Sequence, residues 1–239
     1  MNTYPFTVTH LRLTRLWHGQ PPGAEGGGVM AQVVENHRQN FLIWHEEDIA
    51  RREDMPAERI REAKRTIDRH NQLRNDAIEA IDAALLAALP PPAADAPVHS
   101  ESPGMMLDRL SILALREYHL EVESERPEAT PEQRAAAAEK LGFIKEQRLV
   151  LAGCLEELLH GPERKRWFPC RACKLYNDPA TNPQLRECGS AEPTGSGGLW
   201  PPLANNRDAH FRRDAAGMLD FRSGLRRCFQ MAATARHSQ

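Results

Sequence analysis

The sequence predicts an all-α protein, a bundle of four or five main helices around a central buried helix near residues 103–120. Apolar residues recur at helical spacing through most of the first 160 positions. Aromatic residues make up only 6% of the chain, a composition that favours helices over a β-sandwich. The segment 103–120 is apolar almost all round a helical wheel, which is typical of a helix inside a bundle.

Composition also limits the classes of partner. The chain of 239 residues carries 31 basic and 33 acidic residues, a net charge of −2, whereas nucleic-acid and membrane-surface binders need a basic excess. No run approaches the roughly 20 apolar residues of a membrane span, and the N-terminus lacks the pattern of a signal peptide. We therefore expect a cytoplasmic protein with no nucleic-acid and no membrane partner. Five cysteines, an odd number, argue against a disulfide framework.

Three helices are predicted in the first half of the chain. A short packed helix is expected at 9–17, and the glycine-rich stretch 21–28 that follows it is a loop. This stretch is not a phosphate loop, because it lacks both GxGxxG and GxxxxGK[ST]. The second helix is expected from Val29 to about Arg52, and the third runs from Pro56 or Ala57 to Leu89.

Two further helices have clear N-terminal signals. Ser102 is placed to cap the fourth helix and Pro103 suits its first position. We expect a charged loop at 121–129 before Thr130 and Gln133 open the fifth helix as a capping box. That helix should end at Gly161. We interpret residues 1–186 as one helical domain and residues 187–239 as a poorly ordered or loosely docked tail.

Polar residues interrupt the apolar faces of three of these helices. The second helix turns ionic in its last two turns, and the third carries polar residues inside and along its apolar arc. On the fourth helix the charged residues share one arc of roughly 100°. The three stripes consist of Asp48 and Arg51; of Lys64, Asp68, Asn71, Arg74 and Asn75; and of Asp108, Arg109, Arg116 and His119.

We hypothesise that these stripes converge on a cavity. A surplus of guanidinium groups suits a small anionic ligand, a phosphate or a carboxylate. Asp68, Asp108 or His119 would then act as general base or acid. The ligand would be held by Asp48, Arg51, Lys64, Asn71, Arg74, Asn75, Arg109 and Arg116. An equally open interpretation is a structural network, in which the charges satisfy one another between helices, with Asp48 and Arg51 paired at the rim.

We predict no metal and no cofactor. A zinc site at Cys170 and Cys173 lacks the second cysteine pair that usually completes the ligand set. Glu157-Leu-Leu-His160 matches half of a di-iron motif, but no second copy occurs. His45 and His70 have no ligand-like spacing, and we interpret them as ordinary packed or surface residues.

Four sequence blocks in a fixed order resemble one bacterial family. They are LIWHEEDIAR at 42–51, KRTIDRHNQLRND at 64–76, SPGMMLDRLSIL at 102–113 and KLYNDP at 174–179. The family is catalogued as domain of unknown function 4254, and the resemblance covers roughly residues 5–186. The chain departs from the family pattern at Cys170 and Cys173, and nothing after about 187 has a counterpart.

The resemblance implies a helical, cytoplasmic protein. Members of this family often lie among sugar-transfer and cell-envelope polysaccharide genes, which suggests a role in that setting. Combined with the three stripes, it leads us to expect binding of, or action on, a sugar phosphate or nucleotide-sugar. The alternative is a non-enzymatic helical adaptor, a homodimer or a partner of a sugar transferase. The sequence leaves open whether the protein is an enzyme.

Overall fold

The computed structural model describes residues 4–161, 165–171, 180 and 182, and within them the fold is all-α. No strand and no helix that is long and apolar enough to cross a membrane occurs among the described residues. The predicted fold class is therefore confirmed. The helices are α1 (Tyr4–Trp17), α2 (Val29–Ala50), α3 (Ala57–Ala88), α4 (Pro103–Glu125) and α5 (Pro131–His160).

The helix starts follow the local signals in the sequence. Ser102 Oγ accepts the Met105 amide at 3.3 Å, with Pro103 in the first turn of α4. Thr130 and Gln133 form the predicted capping box, each side chain accepting the other's backbone amide, at 3.2 and 3.0 Å. These bonds satisfy amides that would otherwise lack partners at the helix start, so the N-termini of α4 and α5 are set locally.

The predicted loop at 121–129 is wrong in its first half, because α4 continues to Glu125. Its last turns are charged, but Glu121 forms an ion pair with Arg15 of α1 at 2.8 Å. Ser124 Oγ also donates to the Glu121 carbonyl at 2.8 Å. The ion pair with α1 therefore stabilises the last turns of α4, which the sequence alone does not identify as helical.

The core is built around α4, which packs against each of the other four helices. Its apolar side chains meet those of α3 and α5, and a second cluster joins α1, α2 and α4. Each fully buried side chain of this kind contributes about 1.5–3 kcal/mol relative to exposure. The first cluster includes Phe6, Val33, Ile81, Leu85, Met106, Leu107, Leu110, Leu155 and Leu158, and the second contains Leu13, Trp17, Val34, Phe41 and Leu115.

A buried carboxylate fastens the start of α4 to α3. Asp82 is fully buried, and its two oxygens accept the backbone amides of Gly104 at 2.7 Å and Cys170 at 2.8 Å. A negative charge beside a helix N-terminus is favoured by the helix dipole. A Cβ on Gly104 would lie 2.6 Å from the Ile78 carbonyl oxygen and 2.8 Å from Asp82 Oδ1. The close approach of α3 and α4 therefore requires glycine at this position.

Two predictions concern residues that the structure does not describe. The block KLYNDP at 174–179 and the tail at 187–239 lie outside the described residues. The predicted division of the chain at about residue 186 stays a prediction.

Replacing Gly104 by alanine should destabilise the fold, whereas the same change at Gly142 should not. Overpacking against Ile78 and Asp82 is expected to lower the free energy of unfolding by about 1–3 kcal/mol. Gly142 lies in α5 with no heavy atom within 4 Å of a built Cβ, so Gly142→Ala should raise stability by about 0.5–1 kcal/mol. Urea denaturation measures both, and equal stabilities for the two variants would contradict the packing described here.

Candidate functional site

Three of the helices enclose an open cleft of about 440 Å³. Four of the predicted ligand-binding residues line it together: Asp48 and Arg51 from α2, Arg74 from α3 and Arg116 from α4. The structure thus brings one or two members of each polar stripe to one place. The remaining lining side chains are Asn40, Ile43, Trp44, Glu47, Ile112 and Leu115.

Asp108 lies behind the cleft and joins α4 to α2. Its Oδ1 accepts hydrogen bonds from the side-chain amides of Asn36 and Asn40, both at 2.9 Å. Arg74 Nε lies 3.8 Å from the same oxygen, which is beyond hydrogen-bonding distance. Asp108 is buried, so these contacts are what offsets the cost of removing its charge from water.

A column of buried hydrogen bonds continues from Asp108 towards α1. Asn40 Nδ2 also donates to Ser111 Oγ at 3.0 Å. The ring of His37 connects Ser111 to Thr14, with Nδ1 at 2.8 Å and Nε2 at 3.1 Å. Thr14 Oγ1 lies 2.9 Å from the His10 carbonyl and donates to it. We call this set, with Asn36 and Asp108, the buried polar column.

The direction of these bonds fixes the tautomer of His37. Thr14 has a single hydroxyl proton, which it gives to the His10 carbonyl, so it can only accept from His37 Nε2. His37 Nδ1 is then the acceptor for the Ser111 hydroxyl. Burial, with a smaller contribution from the neighbouring His10, holds the pKa of His37 well below its ordinary value. His37 is therefore a neutral imidazole that donates one hydrogen bond and accepts another within the column.

The structure separates the other members of the third-helix stripe from the cleft lining. Lys64 and Asp68 form an ion pair along α3, with the ammonium group largely exposed. Asn71 and Asn75 are partly buried and are not among the lining side chains. Of the five site residues predicted on α3, only Arg74 lines the cleft.

Arg109 faces a different groove, so its predicted place in the cavity is not what the structure shows. One of its guanidinium nitrogens donates to both carboxylate oxygens of Glu101, each at 2.7 Å. Glu101 precedes α4 and holds Arg109 at that end of the helix. The groove that it lines lies between α4 and α5, has a volume of about 620 Å³, and shares only Ile112 and Arg116 with the cleft.

His119 lies next to the cleft in a cluster of three imidazoles. Its ring is stacked on Trp44, with centroids 4.7 Å apart and planes at 8°. The three imidazoles each place one ring nitrogen within 4.8 Å of the other two; they belong to His18, His45 and His119. Burial, then the nearby His18 and His45, lowers the pKa of His119 to about 4, while Asp48 acts in the opposite direction. The His45 pKa is also lowered, chiefly by burial.

Sequence reasoning missed the buried polar column and the histidine cluster. The column had a readable signal, since Asn36 and Asn40 are one turn apart on the face of α2 that also carries Val29 and Val33, and Ser111 follows Asp108 by three residues. The three histidines have no such signal. They lie in separate segments of the chain, and only the packing of the helices brings them together.

The two predicted acids Asp68 and Asp108 should differ in their effect on stability. Asp108→Ala leaves the buried amides of Asn36 and Asn40 without this acceptor and removes the negative charge beside Arg74, so unfolding should become easier by about 2–4 kcal/mol. Asp68→Ala removes a pair with a largely exposed lysine and should cost less than about 1 kcal/mol. Chemical denaturation of the two variants tests this, and similar losses would show that Asp108 is not the acceptor described.

His10 should make the fold sensitive to acid. It is buried, neither ring nitrogen has a hydrogen-bond partner among the described residues, and burial followed by Arg148 lowers its pKa from 6.5 to about 3. As the pH falls from about 6.5 towards 3, His10 binds a proton in the unfolded chain but stays neutral in the folded one. The contribution of neutral His10 to the free energy of unfolding is therefore fully present above about pH 6.5 and is lost as the pH falls below it.

His10→Leu should therefore flatten the dependence of stability on pH. Between pH 7 and pH 5 the free energy of unfolding of the variant should fall less steeply than that of the wild type, by up to about 1.4 kcal/mol per pH unit. The quantity compared is the slope of the free energy of unfolding against pH, because an effect of the leucine that does not depend on pH leaves this slope unchanged. Parallel slopes for the two proteins would contradict a neutral, buried His10.

Comparison with known proteins identifies a family but no activity. A family model described as "Protein of unknown function (DUF4254)" matches residues 30–168, more than half of the chain. No curated protein matches the chain. No solved structure matches it either. The matched range contains α3, α4, α5 and all of α2 except Val29, and it includes every residue that lines the cleft. The chain belongs to the DUF4254 family, in agreement with the resemblance in its sequence blocks.

Proposed function

We propose that the cleft binds a small anionic metabolite, whose phosphate or carboxylate group is held by Arg74 and Arg116. The observation that carries this proposal is the state of Arg74. Its Nε is buried and has no hydrogen-bond partner among the described residues. A buried donor without an acceptor costs about 1–3 kcal/mol, and an oxygen of a bound anion would remove that cost.

The charges around the cleft leave Arg116 as the lining guanidinium without a carboxylate partner among the described residues. Arg51 is paired with Glu47 at 2.7 Å, and Arg74 lies beside Asp108. Arg116 is exposed and has no carboxylate within 4.0 Å in the part of the chain that the structure describes. A guanidinium can bind two oxygens of one phosphate or carboxylate at once, and Arg116 is the group in the cleft that is available to do so.

The other lining side chains favour an anion that also carries hydroxyl groups. Asp48, in α2, is exposed and also lines the cleft, and a carboxylate accepts hydrogen bonds from hydroxyl groups but repels phosphate. Trp44 and Ile43 add apolar surface against which a sugar ring can pack. The volume of about 440 Å³ is within the range of small-molecule sites. A sugar phosphate or a nucleotide-sugar combines these properties.

We place this binding activity in the cytoplasm of a bacterium, in cell-envelope polysaccharide biosynthesis, as the sequence resemblance implies. The proposed activity is binding rather than turnover. Asp108 already accepts two amide hydrogen bonds, and a histidine with a pKa near 4 is a weak base at neutral pH. Asp108 and His119, two of the side chains predicted for acid–base catalysis, therefore have little capacity for proton transfer.

The second candidate function is that of an adaptor or homodimer, and the groove between α4 and α5 favours it. Phe143 and Val150 line this groove and are each 60% exposed, and Leu149 beside them is 75% exposed. Exposed apolar groups that lie together are typical of protein interfaces. Light scattering on the wild type and on Phe143→Glu tests this function. A dimer that dissociates in the variant would support it, and a monomeric wild type that captures no sugar transferase would not.

Calorimetric titration with glucose 1-phosphate, UDP-glucose and inorganic phosphate tests the anion site. Wild-type protein should bind at least one of these probes. Arg74→Met and Arg116→Ala should each weaken binding by about 10- to 100-fold, because each removes a charge-assisted hydrogen bond worth about 1.5–3 kcal/mol. Circular dichroism checks that both variants remain folded.

Arg109→Ala is the matched control, because Arg109 lies on the same helix as Arg116 but outside the cleft. It should bind the probe as tightly as the wild type. Loss of binding in Arg109→Ala, together with normal binding in Arg74→Met, would move the ligand to the groove between α4 and α5. Absence of binding for all three probes would contradict the proposal.

A further inference from the structure

We propose that His18, His45 and His119 form a binding site for a divalent transition-metal ion, with Zn²⁺ as the best match. His18 follows the last residue of α1, His45 lies in α2 and His119 lies in α4. One ring nitrogen from each can face a common point, since these nitrogens all lie within 4.8 Å of one another. The described residues include no other group of three or more histidine, cysteine or acidic side chains with this geometry.

The spacing is close to that of a loaded site. Zinc–nitrogen bonds of about 2.0–2.1 Å in a tetrahedron place the ligand nitrogens about 3.3–3.4 Å apart. The largest separation of 4.8 Å therefore has to shrink by about 1.5 Å. Rotations about the side-chain bonds of three imidazoles can supply this movement while the helices stay in place.

Two of the rings each have a nitrogen available to coordinate a metal. His18 Nδ1 lies 2.6 Å from the Thr14 carbonyl, which can only accept, so the proton is on Nδ1 and the lone pair is on Nε2. A backbone carbonyl in this position is a common outer partner of metal-binding histidines. His119 Nε2 is buried without a hydrogen-bond partner among the described residues, and stacking on Trp44 holds its ring.

The ligand set selects the class of ion. Imidazole nitrogens suit Zn²⁺, Cu²⁺, Ni²⁺ and iron, whereas Mg²⁺ and Ca²⁺ prefer oxygen ligands. Asp48 places a negative charge near His45 and His119, which favours a cation between them. Three protein ligands leave a fourth position for water or a ligand atom, as in catalytic rather than structural zinc sites. Trp44 contacts His119 and also lines the cleft, so the metal site would border the cleft.

The competing interpretation is an aromatic packing cluster without a metal. Tyr118 lies against His18 with centroids 4.1 Å apart, and Phe41 lies against His45 at 4.5 Å. Packing accounts for the positions of the rings, but it leaves His119 Nε2 buried without an acceptor or donor. A metal ion accounts for both observations.

The test uses the untagged full chain, freed of metal with a chelator and titrated with Zn²⁺ by calorimetry in a phosphate-free buffer. One equivalent should bind, and Co²⁺ in its place should give the intense visible absorption of a tetrahedral site. His45→Gln and His119→Gln should each raise the Kd at least about tenfold. His70→Gln should bind like the wild type, because His70 is a partly buried histidine bonded to Gln39, outside the cluster.

The proposal is overturned if the wild type binds no stoichiometric Zn²⁺, or if His45→Gln and His119→Gln bind it unchanged. It is equally overturned if Cys170→Ser abolishes binding while these histidine variants retain it. Circular dichroism controls for unfolding, and His18→Gln, at the exposed end of α1, supplies the test if a helix-interior variant does not fold. No anionic probe is present, so the outcome is independent of the proposed anion site.

Discussion

The two hydrogen bonds from Asn36 and Asn40 to Asp108 are the interaction on which the rest of the structure depends. A carboxylate inside a helical bundle costs several kcal/mol unless its partners are in place, so this contact tolerates little change in the register of α2 against α4. The C-terminal half of α2 carries Asp48 and His45. The register of α2 therefore also fixes the positions of Asp48 in the cleft and of His45 in the histidine cluster.

The buried polar column extends this constraint to α1. Its hydrogen bonds run in one direction, from Asn40 through Ser111 and His37 to Thr14. Burial lowers the pKa of His37 and so favours the neutral ring. Thr14 is also the residue whose carbonyl orients His18, so the column ends at the histidine cluster. The cleft and the cluster meet at Trp44. The proposed metal site and the proposed anion site would therefore be neighbours.

The starts of α4 and α5 were predictable because they depend on nearby residues, Ser102 and Thr130. The start of α1 was not, since the helix begins at Tyr4 and not at residue 9. The end of α4 was not, since the partner of Glu121 is on α1. For the site, a charge inside an apolar arc indicated Arg74, and the shared arc of α4 indicated Arg116. The same arc also indicated Arg109, which Glu101 holds in another groove, because a helical wheel gives the direction of a side chain but not its neighbours. The histidine cluster depends on three-dimensional packing alone.

The central claim, that the cleft is the ligand site, is tested most directly by NMR of the arginine side chains. Selective assignment of the Nε–H resonances of Arg74 and Arg109 would follow both grooves in one titration with glucose 1-phosphate. The account predicts a saturable shift of the Arg74 resonance, whose nitrogen has no hydrogen-bond partner among the described residues, and an unchanged Arg109 resonance. A shift of Arg109 alone, or of neither, would contradict it.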